Sequence, residues 1–329
     1  MKRILTFLAL VAMAMTALAQ RPLATLSHNG ELTFFDNELG LENALEKAVN
    51  GDTIFLSQGV FVSNASNVEI KKRVAIIGCG YESKINIKLT VNFADNPDSY
   101  LDVPLFDGVM ITQTLTFNVN STSRTNLYKT IIQNSYINNL DNAGYAGEDV
   151  HFNNCHIVSA YFDGANGSNV SVQNSKISQI GSSGGSYINV TNCNIGKAYW
   201  LPRNVVSSII AGSSYSSNGV TFVTSGSHYV SHSLLPNGFD SGRTDSVFKE
   251  SVYLENINDG SFLDEDLECT LNLEEKGYLG VDGTVIGIHG GYYPFTETPS
   301  VPTVDSANSS VVYDQENNKL NVTITVAPN

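Results

Sequence analysis

The clearest pattern in the chain is a short phrase that recurs between residues 130 and 195. Each copy begins with Asn, continues with Ser or Cys, and ends with Ile in fourth place; the four copies start at Asn134, Asn154, Asn174 and Asn192. The spacings are 20, 20 and 18 residues, a period typical of stacked supersecondary units. Because residues 141–200 lack a leucine scaffold, a β-helix is favoured over a leucine-rich repeat.

Apolar residues alternate on both sides of each phrase, but the phase changes at the Asn. The positions four and two before it read Thr130/Ile132, Val150/Phe152, Val170/Val172 and Ile188/Val190. After it, the small residue and the Ile lie on the opposite parity, so a bend must restore the inward direction. Asn tolerates the left-handed backbone conformation that such a bend uses. We expect the four asparagines to form an inward ladder of side-chain amide hydrogen bonds.

Fainter repeats flank the clear ones, and an amphipathic helix precedes them. Alternating stretches within 68–77, 109–119, 205–210 and 231–235 predict further coils. Leu41, Ala44, Leu45 and Ala48 fall at helical spacing on one face. Asp36 or Asn37 can cap this helix, and Asn50-Gly51 ends it. An open β-helix exposes strand edges, so we expect the helix to cover the first coil.

Three stretches carry a family resemblance. Residues 44–61, followed by 70–80, resemble the opening coil of the pectin-lyase-like right-handed β-helix superfamily. Gly280–Gly291 is similar to the final coil of many bacterial members, and with Ala24–Gly30 the pattern most resembles a group of exported bacterial β-helix proteins without an assigned function. The resemblance implies an all-β fold, a right-handed parallel β-helix with an N-terminal capping α-helix and a short C-terminal β-hairpin tail. It brings no catalytic motif.

The two ends of the chain differ from its middle. Lys2 and Arg3, an apolar run from residue 4 to 14 and Ala17-Leu18-Ala19 have the pattern of a secretory signal peptide over residues 1–19. The apolar run is shorter than the roughly 20 residues that span a bilayer, so we expect no membrane insertion after cleavage. The chain is predicted to be exported to the periplasm, the cell surface or the medium, with a β-helix over 20–295. Residues 296–329 are predicted to be a linker and a β-hairpin tail.

The amino-acid composition limits the classes of molecule that the protein is expected to bind. The 32 acidic residues outnumber 18 basic ones, for a formal charge of −14, which repels nucleic acid and anionic lipid. Solubility is the simplest reason for the acidity. We expect no cofactor and a monomer, with polysaccharide, a cell-envelope glycan or a protein as partner.

Four cysteines in an exported chain suggest disulfides. Cys155 and Cys193 hold equivalent inward positions two coils apart. That separation is about 9.6 Å, beyond the roughly 7 Å Cα limit for a disulfide. Both are predicted to be buried free thiols, whereas a bridge between Cys79 and Cys269 stays open.

Two sets of outward-facing side chains are candidates for a catalytic or binding role. Two places after the repeat Asn, successive coils present Tyr136, His156 and Lys176, neighbours that could transfer a proton beside an acidic sugar. A solvated polar face explains the same column without function.

The second set lies seven places after the Asn. Asp141, Tyr161 and Tyr199 share that position in three coils. Nearby in sequence are Asp163, Trp200 and Arg203. Aromatic rims commonly hold sugar rings, so this set predicts a sugar-binding groove with Trp200 as anchor. The alternative is that these rings fold over the coil edge and are buried.

Acidic residues and histidines give little support for catalysis or metal binding. Lyases of the superfamily need clustered acidic calcium ligands and a base, and its hydrolases need neighbouring aspartates. Outward strand positions of the clear coils hold no Asp or Glu, and only loop acids remain: Asp141, Glu148, Asp149 and Asp163. His151 and His156 lie on opposite strand faces, and the acidic run 264–266 does not fit a calcium loop, so no metal site is predicted and catalytic residues stay unassigned.

We therefore predict a non-catalytic carbohydrate-binding or envelope-interaction protein. The alternatives are a lyase or glycoside hydrolase using loop residues and a structural component of an envelope assembly.

Overall fold

The computed structural model of the chain describes a core of stacked strands and the segments around it. The described residues are 21–93, 104–117, 130–142, 150–163, 169–183, 187–199, 201–212, 228–236, 247–248, 252–255, 262–297, 303–314 and 319–327. The predicted signal segment 1–19, the loop acids Glu148 and Asp149, and Trp200 lie outside these residues.

The described chain contains two helices and 26 strands. In chain order they are β1 (Ala24–His28), β2 (Glu31–Phe35), α1 (Gly40–Lys47), β3 (Thr53–Leu56), β4 (Gly59–Phe61), β5 (Val68–Ile70), β6 (Ala75–Ile77), β7 (Ser83–Ile85), β8 (Leu89–Val91), β9 (Phe106–Asp107), β10 (Met110–Phe117), β11 (Thr130–Gln133), β12 (Tyr136–Asn142), β13 (Val150–Asn153), β14 (His156–Asp163), β15 (Asn169–Gln173), β16 (Lys176–Ser183), β17 (Tyr187–Thr191), β18 (Asn194–Ala198), β19 (Asn204–Val206), β20 (Ile209–Ile210), β21 (Tyr229–Ser231), β22 (Ser233–Pro236), β23 (Val247–Phe248), β24 (Val252–Glu255), α2 (Leu273–Lys276), β25 (Thr303–Asp314) and β26 (Lys319–Ala327).

Most strands belong to two long sheets that the chain visits alternately. The first sheet has the order β2-β1-β3-β6-β9-β11-β13-β15-β17-β19-β21-β23, and the second runs β24-β22-β20-β18-β16-β14-β12-β10-β7-β4, with β8 beside β10 and β5 beside β8. From β3 onward, neighbours within each sheet are parallel, whereas β1 pairs antiparallel with β2 and β3. We call one strand of the first sheet and the strand that follows it in the second sheet a coil. This arrangement is all-β and consistent with a β-helix or solenoid.

The core is a set of apolar rows that continue from coil to coil. The central row of the first sheet is fully buried and consists of Ile54, Ile76, Phe106, Ile132, Phe152, Val172, Val190, Val205 and Val230. The facing row of the second sheet is equally buried and consists of Phe61, Ile85, Ile111, Ile137, Ile157, Ile177, Ile195, Ile210 and Leu235. Parallel pairing brings like side chains together at the strand spacing of about 4.8 Å, so each coil buries the apolar side chains of the next.

The predicted bend lies between the two sheets. Asn134, Asn154, Asn174 and Asn192 all have positive φ, between 45° and 53°. Ser207 and His232 occupy the same place in the next two coils, with φ of 50° and 47°. The left-handed backbone predicted for the repeat Asn is therefore confirmed, and it continues beyond the coils in which Asn marks it.

The inward ladder is made by the residue after the Asn. Ser135, Cys155, Ser175, Cys193, Ser208 and Ser233 are completely buried in one row. The Ser175 hydroxyl donates to Gln173 O at 2.6 Å and accepts the Cys155 N–H at 3.0 Å. Cys193 and Ser208 repeat the contact, the Cys193 N–H donating to Ser208 Oγ at 3.1 Å. Each hydroxyl thus satisfies backbone groups of two coils.

The asparagine side chains lie outside the bend, which corrects the predicted inward ladder. Asn154 Nδ2 donates to Asn134 Oδ1 at 2.8 Å, and Asn134 Nδ2 donates to Asp107 Oδ1 at 2.7 Å. Asn174 Nδ2 instead donates to Gly290 O at 3.1 Å. A left-handed residue directs its side chain away from the interior here, so the amides meet whatever packs outside the coils.

Residues 262–297, which we call the return segment, pack outside this bend. The Val281 N–H donates to Ser207 Oγ at 3.0 Å, and further along the segment the Thr296 N–H donates to Asn154 Oδ1 at 2.8 Å. The segment therefore runs back past earlier coils. Gly280–Gly291, which was predicted to form a final coil, adds no strand to either sheet. Phe262, Leu263, Leu267, Leu273 and Ile286 form a second apolar cluster with Ile209 and Leu234 of the second sheet.

The helix and hairpin at the two ends follow the sequence pattern. Leu41, Ala44, Leu45 and Ala48 are buried, and α1 packs against β1, β2 and β3. Asn37 Oδ1 accepts the Leu39 N–H at 2.9 Å just before the helix. The N-cap is Leu39, however, which makes no side-chain capping bond, and α1 ends at Lys47, before the predicted Asn50-Gly51. β25 and β26 form an antiparallel hairpin. Neither helix of the described chain has the length and apolarity needed to cross a membrane.

Substitutions at Asn154 test whether the bend requires a left-handed backbone. We expect Asn154→Ala to destabilise the protein more than Asn154→Gly, because a Cβ-bearing residue without a local hydrogen bond costs about 1–2 kcal/mol in the left-handed region, and both variants lose the same amide bonds. The measurement is the free energy of unfolding in denaturant. Asn153, which lies in β13, is the control, since glycine should be the worse replacement in an ordinary strand. The same ranking at both positions would contradict the assigned bend.

Thiol reactivity tests the inner row. Cys155 and Cys193 are buried free thiols, as predicted, and Cys79 is an exposed one. Burial raises the pKa of both inner thiols to about 12, which removes the reactive thiolate. Iodoacetamide should modify Cys79 in the native protein and reach Cys155 and Cys193 only after unfolding, as read by peptide mass spectrometry. A bridge between Cys155 and Cys193, or their native-state labelling, would refute the register.

Candidate functional site

A polar surface lies on the outer side of the second sheet, along the C-terminal halves of β12, β14, β16 and β18. β12 and β14 pair Asp141 with Tyr161, and β16 adds Gly181 beside Tyr161. The Tyr199 N–H donates to Ile180 O at 2.8 Å, which places Tyr199 next in this column. The adjacent column carries amides, a hydroxyl and an amine. We call the two columns together the tyrosine face; its residues are Asn139, Asp141, Ser159, Tyr161, Gln179, Gly181, Lys197 and Tyr199.

Strand alternation explains why these residues point outward. Leu140, Ala160, Ile180 and Ala198 are buried in one inward row. Their neighbours on either side must therefore lie on the opposite side of the sheet. Ile137 and Leu140 are both inward although they are three residues apart, so the strand changes phase at Asn138. This local irregularity decides which polar residues form the face.

The two tyrosines lie on either side of Gly181 in the column. Tyr161 is 47% exposed and Tyr199 is 37% exposed. A Cβ placed on Gly181 would lie 3.3 Å from Tyr161 Cδ2 and 3.7 Å from Tyr199 Cβ. The tyrosines are two coil steps apart, about 9.6 Å along the axis. Gly181 is itself buried, so the missing side chain lets the ring of Tyr161 lie close to the backbone, and any larger residue would press on that ring.

Hydrogen-bonding groups surround the two tyrosine rings. Tyr199 Oη donates to Gln179 Oε1 at 3.0 Å, which restrains the ring. Asn139 Nδ2 donates to Thr114 Oγ1 at 3.2 Å. Lys197 is exposed and Asp141 is half-buried, and they lie at opposite ends of the face. The surface thus offers donors, acceptors and aromatic carbon together, the mixture that fixes a polar ring-shaped ligand.

The predicted groove residues do not all meet here. Asp141, Tyr161 and Tyr199 share one column, as their common repeat position predicts. Arg203 precedes β19 of the first sheet, and its carbonyl accepts the Tyr229 N–H at 2.7 Å. The side chain of Asp163 and the whole of Trp200 lie outside the described residues. The alternative expectation, that the rings fold down and are buried, is wrong for Tyr161 and Tyr199.

Two features of the face escaped sequence reasoning, although parity could have found them. Gly181 stands at the repeat position that Tyr161 and Tyr199 share, and only its missing side chain hid it. Gln179 and Lys197 lie two residues before the positions of the tyrosine column. Listing every residue of the right parity, instead of the aromatic ones alone, would have identified both.

Tyr136, His156 and Lys176 form the predicted column but do not form an open face. Parallel pairing aligns the three residues, and the rings of Tyr136 and His156 pack edge to face at 4.9 Å. The return segment covers Lys176, which is 3% exposed. Its Nζ lies 2.9 Å from Glu268 Oε1, 3.1 Å from Glu297 Oε1 and 5.0 Å from the centre of the Phe295 ring. Lys176 therefore anchors the return segment, and a solvated polar face is the wrong description of its position.

The charges at this anchor shift the pKa values of their neighbours. Burial, together with the positive charge of Lys176, lowers the pKa of His156. Burial disfavours the Glu268 carboxylate, but hydrogen bonds from Lys176 and His289 outweigh it and lower the pKa. His289 Nε2 lies 2.6 Å from Glu268 Oε2. The ion pair between Lys176 and Glu268 therefore favours the ionised form of Glu268, whereas Lys176 disfavours protonation of His156.

The described residues of the tyrosine face and of the anchor at Lys176 do not include a group of metal ligands. Among the residues that the structure describes, no three His, Cys, Asp or Glu side chains are grouped closely enough to hold an ion. His151 and His156 lie in β13 and β14, which belong to different sheets.

Acid should weaken the anchor. His156, whose pKa is lowered from 6.5, stays neutral in the folded state while the unfolded chain takes up a proton, so stability is lost as pH falls below 6.5. Glu268 adds a second loss below its ordinary 4.5. We expect the unfolding free energy of wild type to fall between about pH 7 and 5. His156→Gln should flatten this slope; equal slopes for wild type and His156→Gln would refute the assignment.

Comparisons with known proteins do not identify a relative. No protein-family model, no curated protein and no solved structure matches the chain. The resemblance to pectin-lyase-like proteins therefore stays a prediction from the sequence, and the function must be argued from the site itself.

Proposed function

We propose that the chain is an exported, non-catalytic carbohydrate-binding protein that holds a glycan on the tyrosine face. The observation that carries the proposal is the pair of exposed rings, Tyr161 and Tyr199, on either side of Gly181. Sugar rings have an apolar face and a polar rim, and aromatic side chains next to hydrogen-bonding groups match both. The leader pattern of residues 1–19 supports export.

The geometry favours a glycan that lies along the coil axis. The two rings follow one another from coil to coil, so a ligand that contacts both must cross the strands. Asn139, Ser159, Gln179 and Lys197 form a parallel column of polar groups beside the rings. A chain of sugar units can repeat the same contacts at successive coils. An internal stretch of polysaccharide therefore fits this face better than a single monosaccharide.

Catalysis has weaker support than binding. Glycoside hydrolysis by the common mechanisms needs two carboxyl groups that flank one bond. Within the described part of the tyrosine face, Asp141 is the one carboxylate. The enzyme alternative would draw on Glu148 and Asp149, which lie outside the described residues, or on Asp163, which ends β14 and is not the loop residue that the sequence predicts.

We further propose the finer features of the fold that the resemblance implies. A right-handed path is supported by the strong preference of parallel strand connections for that hand. Closure of the first coil by α1 is supported by the burial of its apolar face against β1, β2 and β3. Together they would make the chain a pectin-lyase-like right-handed β-helix with a capping helix.

Binding to a panel of neutral and acidic polysaccharides tests the proposal. For the glycan that is retained, Tyr161→Ala and Tyr199→Ala should each weaken the affinity about tenfold or more, as aromatic anchors do. Gly181→Leu should have a similar effect, because the new side chain displaces the ring of Tyr161. Tyr229→Ala is the matched control, since Tyr229 is a 38% exposed tyrosine of the first sheet. Retention that survives all three substitutions would exclude this face as the binding site.

The single tryptophan offers a second readout. Trp200 follows Tyr199 directly in the sequence, so its fluorescence should change when a glycan occupies the tyrosine face. Reducing-end and unsaturated-sugar assays on the same mixtures measure turnover. Release of cleaved products would replace the binding proposal with the enzyme alternative.

A further inference from the structure

The outermost strand of the first sheet leaves one edge open. Within the described residues, β2 pairs only with β1, through a two-residue turn at Asn29-Gly30 that joins the paired His28 and Glu31. The residues that close such a turn hydrogen-bond to each other. Since this pattern alternates, Glu31, Thr33 and Phe35 bond to β1. The N–H and C=O groups of Leu32 and Phe34 therefore point away from the sheet.

The same two residues expose large apolar side chains. Leu32 is 54% exposed and Phe34 is 61% exposed. Thr25 pairs with Phe34 on one side and with Phe55, which is 45% exposed, on the other. The apolar patch therefore extends from the open edge across three strands. Proteins usually protect such edges with lysine, proline or a bulge, and β2 has none of these.

We propose that β2 pairs antiparallel with β2 of a second copy of this chain, about a two-fold axis through Thr33. In that register Leu32 lies opposite the partner's Phe34, and Phe34 lies opposite the partner's Leu32. The free backbone groups of both residues are satisfied in both copies. The apolar side chains meet on one face, and the first sheet of one copy continues into that of the other.

Charge complementarity selects a second copy as the occupant of this edge. The register places Glu31 opposite the partner's Phe35, on the opposite face of the strand from Leu32 and Phe34. Lys47 Nζ lies 5.0 Å above the Phe35 ring within each copy. Glu31 of one copy therefore approaches the partner's Lys47, and the symmetry makes this contact twice. The monomer expected from the sequence gives way to a head-to-head dimer.

Sedimentation and light scattering of the purified protein test the association. We expect a dimer, and Phe34→Lys should raise its dissociation constant at least tenfold. Tyr292→Lys is the control, since Tyr292 is 91% exposed and lies in the return segment. Glu31→Lys should also weaken the dimer, and adding Lys47→Glu should restore it. A monomer at all concentrations, a dimer indifferent to Phe34→Lys, or a failure of the double variant to recover would each overturn the proposal.

A cysteine at the symmetry axis tests the register directly. Thr33 would face the partner's Thr33 as a non-hydrogen-bonded pair with Cα atoms about 4.5 Å apart, a separation that permits a disulfide. In a Cys79→Ser background, which removes the exposed native thiol, Thr33→Cys should form a covalent dimer on mild oxidation. Leu32→Cys is the matched control. Leu32 lies opposite the partner's Phe34, so the two Leu32 residues are farther apart than the two Thr33 residues. Equal crosslinking of the two variants would refute the two-fold register, and a different strand partner would leave Thr33→Cys unlinked.

Discussion

A left-handed residue at the same place in successive coils is the constraint on which the rest of this structure depends. Strand alternation would otherwise send the apolar side chains of the second sheet outward, because the first sheet ends on the wrong parity. One residue with φ near 50° turns the chain and resets the phase. The residue that follows then points inward, and only Ser or Cys fills that row in the coils from Ser135 to Ser233. Small size is needed there because the two sheets meet at the bend.

The same bend creates the surface on which the return segment docks. A left-handed residue turns its side chain outward, so the amides of Asn154 and Asn174 are available to Thr296 and Gly290. Lys176 fixes the same segment from the neighbouring column through Glu268 and Glu297. One backbone requirement therefore organises the inside of the coils and the contacts that cover their outside.

The limits of sequence prediction follow from the range of the interactions involved. Periodicity predicted the coils, the bend, the buried thiols and the column of Asp141, Tyr161 and Tyr199, because parallel pairing repeats one local pattern at each step. The outward direction of the asparagine amides follows from the left-handed backbone and was missed, whereas their partner Thr296, 142 positions from Asn154, could not be found from a local pattern. Periodicity also treated Lys176 as solvent-exposed, since no local pattern links a strand residue to Glu268. Gly181 was missed because its role is to let the ring of Tyr161 lie close to the backbone, and a missing side chain leaves no pattern in the sequence.

The second sheet thus has two outward surfaces, of which one is covered by the return segment and the other is open. The column of Tyr136, His156 and Lys176 starts directly after the bend, where the return segment packs, and it becomes increasingly enclosed toward Lys176. The tyrosine face starts after the phase change at Asn138, and its two rings stay exposed. A solenoid has many equivalent outward positions, and in the described part of this one the return segment covers one column and leaves the next open. The irregular step at Asn138 sets the boundary between the two columns, and a polysaccharide could then lie along the open one without displacing the return segment.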